Sequence, residues 1–153
     1  MKYSWIIETP IGHLGILVDE KHLLKISFGE TKCGAVVKQT ELIKEVEKQL
    51  FEYFSGKRKD FDLPLNPTGT EFQKKSWNSL LKIPYGKTIS YKELALMVEN
   101  EKYSRAVGMA NNKNPIPIII PCHRVIGANG KLVGYRGGLS IKEKLISIER
   151  NNT

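Results

Sequence analysis

The stretch SYKELALMVENEKYSRAVGMANN, Ser90–Asn112, decides how the second half of the chain is read. Ser90 and Glu93 have the spacing of a capping box, in which a serine side chain bonds the backbone three residues on and a glutamate reaches back. That spacing predicts a helix running through about Val98. Ser104 precedes a second, shorter helical segment, RAVGMANN. Two helices separated by about five residues suggest a helix-turn-helix, although an ordinary helical hairpin has the same pattern. The second helix is unusual. Ala106, Gly108 and Ala110 are small, and Gly108 costs about 1 kcal/mol of helix propensity against alanine. Small residues let a backbone approach another surface closely, either a core neighbour or a groove of DNA. Arg105 lies in the first turn, where positive charge opposes the helix dipole. It is not there for helix stability.

Capping signals recur on both sides of this stretch. Upstream, TEFQ (Thr70–Gln73) opens a helix with Phe72, Trp77, Leu80 and Leu81 as core candidates, stopping before Pro84. Downstream, SIKE (Ser140–Glu143) has the same spacing and opens a last helix, with Ile141, Leu145 and Ile148 on one face and Glu149 beside it. Between them, Ile116–Ile120 is too short for a helix and rich in isoleucine, which predicts a buried strand. Five glycines follow within Gly127–Leu139.

The first half reads differently. SWIIETPIGHLGILVD carries two apolar runs split by Pro10-Ile11-Gly12, a hairpin signal. HLLKISFG adds a third strand, residues 31–40 read as loop, and residues 41–55 as a helix with Leu42, Ile43, Val46, Leu50 and Phe54 on one face and Gly56 as its stop. The segment GKRKDFDLPLNPTG, residues 56–69, has two prolines, two glycines and a charge cluster. It reads as the boundary between a small α/β unit and a helical unit, giving domains 1–67 and 68–153 in an α+β chain.

With 153 residues and 41% hydrophobic residues, a real core can form. No apolar run reaches the ~18–20 residues of a membrane span, and MKYSWIIETPIG does not have the form of a signal peptide. The expectation is a soluble, cytoplasmic protein. A net charge of +8 favours a polyanionic partner. Two cysteines, Cys33 and Cys122, and three histidines show no metal-ligand spacing, so no metal is expected. Cys33 reads as a small buried hydrophobe.

Cys122 is placed for chemistry, in IPCHRV (Ile120–Val125). A thiol with an ordinary pKa of ~8.5 is only slightly ionised at neutral pH, so a nucleophile needs a base or a positive field. His123 and Arg124 are candidates for both. Neighbours on an extended strand point to opposite faces. Cys122 and His123 therefore cooperate only if the chain turns at Pro121–Cys122 or a water bridges them. Glu149 is the candidate to orient the imidazole.

PCHRV, preceded by NPIPIII (Asn114–Ile120), strongly resembles the active-site signature of O6-alkylguanine-DNA alkyltransferases. The resemblance extends over SRAVG (Ser104–Gly108), TISYKELA (Thr88–Ala95) and GYRGGLSIKEKL (Gly134–Leu145), covering roughly residues 68–150. ETPIGHLGIL looks like the family's more variable N-terminal domain, a ribonuclease H-like α/β unit with a short antiparallel sheet. The helical half would carry a winged-helix-like helix-turn-helix. The resemblance implies repair of O6-alkylguanine, and of O4-alkylthymine, by irreversible transfer of the alkyl group to Cys122, with no cofactor. His123 would act as base through a water, Glu149 would polarise it, and Asn114 would order the active-site segment. Arg105 would fill the stack left by the extruded base, and Tyr91 would press on the target phosphate. Ser104, Ala106 and Gly108 would meet the DNA minor groove. Val125, Tyr135, Arg136, Gly137 and Gly138 would line the base pocket. The implied partner is double-stranded DNA, bound by a monomer. Two other readings stay open on the residues: a cysteine hydrolase and a lesion-binding protein without catalysis.

Overall fold

The computed structural model describes residues 1–29 and 34–153. Cys33 lies outside the described residues. The chain divides into two compact units, Met1–Thr68 and Gly69–Thr153.

In the first unit, β1 (Tyr3–Thr9) and β2 (Gly12–Val18) form the antiparallel hairpin expected around Pro10-Ile11-Gly12. Gly12 takes a φ of +103°, which side-chain-bearing residues resist. The Thr9 hydroxyl donates to the Gly12 carbonyl and closes the turn. β3 (Leu23–Phe28) pairs antiparallel with β2, and β4 (Val36–Val37) pairs parallel with β1, giving the order β3-β2-β1-β4. The expected antiparallel sheet is thus extended by one parallel strand, inside a segment read as loop. Two exposed valines are too few to show an alternation. The central strand buries Leu14, Ile16, Leu17 and Val18 on both faces.

α1 (Glu41–Phe54) packs on β1 and β2. Its buried stripe is Ile43, Val46, Leu50 and Tyr53, while Leu42 and Phe54 sit half-buried at its margins. Gln49 is buried as well. Its amide donates to the Asp62 carbonyl at 3.0 Å and accepts from the Asp62 N–H at 2.9 Å, tying the helix to the segment that follows it.

In the second unit both predicted capping boxes form. Thr70 and Gln73 exchange side-chain and backbone hydrogen bonds at the start of α2 (Glu71–Leu80), and Ser90 and Glu93 do so at the start of α3 (Tyr91–Val98). A single 3-10 turn, Glu101–Tyr103, leads into α4 (Ser104–Asn112). α2, α3 and α4 pack on one another. The buried Trp77 indole donates to the Ala110 carbonyl at 2.8 Å, linking α2 to α4. Leu81, a core candidate from sequence, is 48% exposed, because α2 ends before it and Ile83 takes the inward position.

Two expectations are corrected here. Ile116–Ile120 is not a strand. The Asn114 side chain accepts from the Ile116 N–H at 3.0 Å and donates to the Ile120 carbonyl at 2.8 Å, folding the segment into a tight turn. Ile118 takes φ +74°, a region costly for a β-branched residue. Nor does SIKE cap the last helix. α5 (Leu139–Asn151) starts after Gly138, whose φ is +97°, so Ser140 already lies inside the helix and makes no cap bond. The inward face of α5 is Lys142, Leu145, Ile146 and Glu149, with Ile141 and Ile148 half-buried at its edge. The helix is rolled so that one lysine and one glutamate point inward, where both find polar partners.

A two-stranded parallel sheet, β5 (Ile89–Ser90) with β6 (Val125–Ile126), completes the unit. β5 leads directly into α3, and β6 leaves the Cys122–Arg124 turn, so this pairing holds the cysteine next to the helix pair. All the net charge belongs to this unit: residues 69–153 carry 14 Lys+Arg against 6 Asp+Glu, while residues 1–68 carry 10 against 10.

Candidate active site

The chain turns where the cysteine needs it to. Pro121 has φ −81° and ψ 66°, and Cys122–Arg124 form a 3-10 turn closed by Arg124 N–H donating to the Pro121 carbonyl. The turn removes the strand alternation that would have set Cys122 and His123 on opposite faces. Both are buried, the imidazole completely.

His123 Nε2 lies 2.5 Å from Glu149 Oε2. Arg124 grips the same carboxylate, with Nε at 2.8 Å from Oε1 and Nη2 at 3.2 Å from Oε2, and its Nη1 donates to the Ile83 carbonyl. The Gly86 N–H adds a further bond to Oε1. Burial pushes the Glu149 carboxyl up, but the hydrogen bonds and charges of His123 and Arg124 outweigh it and hold it down at about 2. Glu149 is therefore a fixed anion. Burial lowers the His123 pKa against the pull of that anion, which favours a neutral imidazole able to take a proton. Arg124, a candidate from sequence for the field at the thiol, is instead committed to Glu149.

Burial also pushes the Cys122 thiol up, to about 11, against the Asn114 amide and the charges of Lys142 and Arg136, which pull it down. The resting thiol is protonated, so attack requires a base. Tyr135 is raised well above its ordinary value by burial and by the neighbouring sulfur, and so remains a hydrogen-bond donor. Tyr91 is raised for the same first reason. Its hydroxyl reaches the Val133 carbonyl at 3.4 Å, an acceptor that also takes a bond from Lys142 at 2.9 Å.

The sequence-selected residues thus fall into two groups. Asn114, Tyr91 and Tyr135 come together around the Cys122 sulfur, the next residue His123 pairs with Glu149, and Val125 is buried in β6. Arg105 stands exposed on the first turn of α4, with Ser104 and Ala106 partly exposed beside it. Gly108 faces the Tyr91 ring, which a Cβ would meet at 3.7 Å. Arg136 and Gly138 are exposed and Gly137 is half-buried in the loop before α5. Three contributors were not singled out in the sequence: Lys142, Asn111 and the grip of Arg124 on Glu149. Lys142 leaves a signal, a lone lysine seven residues before Glu149 on one helical stripe. Among the described residues no cluster of three or more His, Cys, Asp or Glu comes together, and no helix is long and apolar enough to cross a membrane.

Fold and site define an α+β protein whose buried cysteine sits on a turn built onto a basic unit of packed helices. The chain belongs to the 6-O-methylguanine DNA methyltransferase family. Residues 71–151 match its DNA binding domain, and residues 1–67 match its ribonuclease-like domain. It is 51% identical over 152 residues to a methylated-DNA–protein-cysteine methyltransferase of Methanosarcina acetivorans, spanning 96% of this chain and 97% of that one. It is 43% identical over 159 residues to the constitutive protein of that name from Bacillus subtilis, spanning 98% and 96%. The crystal structure of Mycobacterium tuberculosis OGT in complex with DNA superposes with a TM-score of 0.93 at 39% identity, covering 98% of this chain and 94% of that one.

Proposed function

We propose that this protein repairs alkylated DNA by moving the alkyl group from O6 of guanine onto Cys122. One observation carries the reading: the buried thiol sits on a turn whose next residue is paired with an ionised glutamate. Homologues that share nearly the whole chain bear the corresponding name.

The target oxygen is inaccessible inside a stacked duplex, so the nucleotide is extruded at a cost of roughly a few kcal/mol. The basic second unit holds the phosphates. Ser104, Ala106 and Gly108 lie along the minor groove, Arg105 fills the vacated stack, and Tyr91 presses on the target phosphate. Val125, Tyr135, Arg136, Gly137 and Gly138 line the base pocket, and Asn114 orders the segment before the cysteine. His123 takes the thiol proton. Its Nε2 is engaged by Glu149, so Nδ1 faces this task, through a water. The sulfur lone pair then forms the S–C bond as the C–O6 bond breaks and its electron pair moves into the purine. The purine takes up one proton, balancing the one that left the thiol, with Tyr135 or Tyr91 donating a hydrogen bond to it, and leaves as guanine. The product is a thioether, which has no easy hydrolytic return, so each molecule acts once, and O4-alkylthymine would react in the same way. The division of labour assigns residues 68–153 to DNA and chemistry, and residues 1–67 to a supporting domain. The protein works as a monomer without cofactor, in the cytoplasm.

The direct test is mass spectrometry after incubation with duplex DNA containing O6-methylguanine. One methyl on the Cys122 peptide and restored guanine are expected. An unmodified cysteine with released product would point to hydrolysis instead. Arg105→Ala should slow transfer from duplex DNA by roughly tenfold or more while leaving transfer from a free base analogue unchanged, since the stack-filling role exists only in the duplex. Equal slowing on both would remove that role.

A further inference from the structure

Nothing in the sequence singled out Tyr85, in the segment between α2 and β5. The structure brings that segment onto the Arg124–Glu149 pair at three points. The Ile83 carbonyl accepts from Arg124 Nη1, and the Gly86 N–H donates to Glu149 Oε1 at 3.2 Å. Between these two residues, the Tyr85 ring lies under the Arg124 guanidinium, with its centre 5.7 Å away. A guanidinium at that distance is attracted by the ring face, most strongly where water is excluded. Arg124 is 6% exposed, whereas Tyr85 is only half-buried. The ring thus stands where water would otherwise reach the cation. Burial and the Glu149 charge raise the phenol pKa, so Tyr85 stays neutral and acts on Arg124 through its ring.

We propose that Tyr85 is a positioning residue: its ring holds Arg124 on Glu149 and so sets how much of the carboxylate charge is left to act on His123. The inference rests on the proposed function, in which His123 takes the thiol proton, and adds to it a residue outside the Cys122 turn and α5. The charged groups that act on His123 are Glu149 and Lys142 from α5 and Arg124 from its own turn. α2, which also packs on that turn, buries only Ser76, Trp77, Ser79 and Leu80. Of the three charges, Arg124 is the one that lies over the Tyr85 ring. Removing the ring loosens Arg124, leaves Glu149 more fully to His123 and makes the imidazole easier to protonate. The neutral base is then lost at a higher pH.

The experiment measures single-turnover methylation of Cys122 by saturating duplex DNA containing O6-methylguanine, from about pH 5 to about pH 8, where a histidine titrates. Wild type, Tyr85→Phe and Tyr85→Leu are compared. Each variant's rate is divided by the wild-type rate at the same pH, which cancels the pH dependence of DNA binding. For Tyr85→Leu this ratio should fall by about three- to tenfold from the alkaline to the acid end, the effect of one desolvated cation–ring contact read as a shift of about half to one pKa unit. Tyr85→Phe keeps the ring and should hold a ratio near one throughout. Tyr85→Met takes the place of the leucine variant if that one does not fold. A leucine ratio that stays constant across pH, whatever its value, marks a merely structural tyrosine and overturns the inference. A ratio that rises toward acid has the wrong sign and overturns it as well. So does a phenylalanine variant that falls as the leucine variant does, because the hydroxyl and not the ring would then be responsible. A wild type that methylates Cys122 at no pH defeats the proposed function itself, and the inference with it.

Discussion

Cys122→Ser should accept no methyl group at all from O6-methylguanine DNA, while its affinity for that DNA is largely kept. The site is arranged around sulfur. Burial already holds the thiol up at about 11, and an alcohol in the same surroundings ionises far less readily and is a weaker nucleophile toward an alkyl carbon. His123 paired with Glu149 can assist removal of a thiol proton but cannot make serine competitive. Shape changes little, since one atom is exchanged, so the helix pair and the basic face of the second unit remain in place. Intact-mass measurement reads the transfer, and fluorescence anisotropy with a labelled duplex reads the binding. Methyl appearing on the serine variant would place the acceptor at another residue.

The second large effect is expected at Glu149. Replacing it by alanine leaves the Arg124 guanidinium, His123 Nε2 and the Gly86 N–H facing an empty space. Removing one partner of a buried ion pair costs roughly 3–5 kcal/mol, mostly because the remaining charge stays buried. For a chain of this length that lowers Tm by on the order of 10 °C. On the proposed function transfer should also slow by roughly 10²–10⁴-fold, measured below the new Tm, because His123 loses its orientation and its counter-charge. The pH dependence separates the electrostatic part from simple loss of packing. The Glu149 carboxyl titrates at about 2 in the folded chain against an ordinary 4.5. A depressed carboxyl contributes its stability in full above the unfolded value, and that contribution fades as pH falls from about 4.5 toward 2. Wild-type stability should therefore decline over this window, and Glu149→Gln should show a flatter decline. Equal slopes in the two proteins would mean that the pairing carries no net stability.

How much of this was legible beforehand depended on the kind of signal. Capping boxes at Thr70 and Ser90 are local, since each spans four residues and needs nothing else, and both form as read. The hairpin at Pro10–Gly12 is local in the same sense. The same rule misread Ser140, because Gly138 supplies a positive φ that starts α5 earlier and leaves the serine inside the first turn. Ile116–Ile120 looked like a strand because β-branched apolar residues favour extension. The side chain of Asn114, bonding at both ends of the run, closes it into a turn instead. Apolar periodicity on the last helix pointed to Ile141 and Ile148, yet the inward stripe carries Lys142 and Glu149. A charged residue turns inward only when a partner waits there, and those partners are Val133 and the Cys122–Arg124 turn, remote in sequence.

By itself the sequence determined the elements with local causes: the hairpin, the capped helices, the composition of α4 and the placing of a cysteine, a histidine and an arginine in consecutive positions. Only the tertiary structure decided what those three residues do to one another. It turned the chain at Pro121 and sent Arg124 to Glu149 rather than to the thiol. Local backbone preferences depend on a few neighbouring residues and can be read along the chain. The state of a buried charge, thiol or amide depends on which distant groups share its burial, and only folding chooses them.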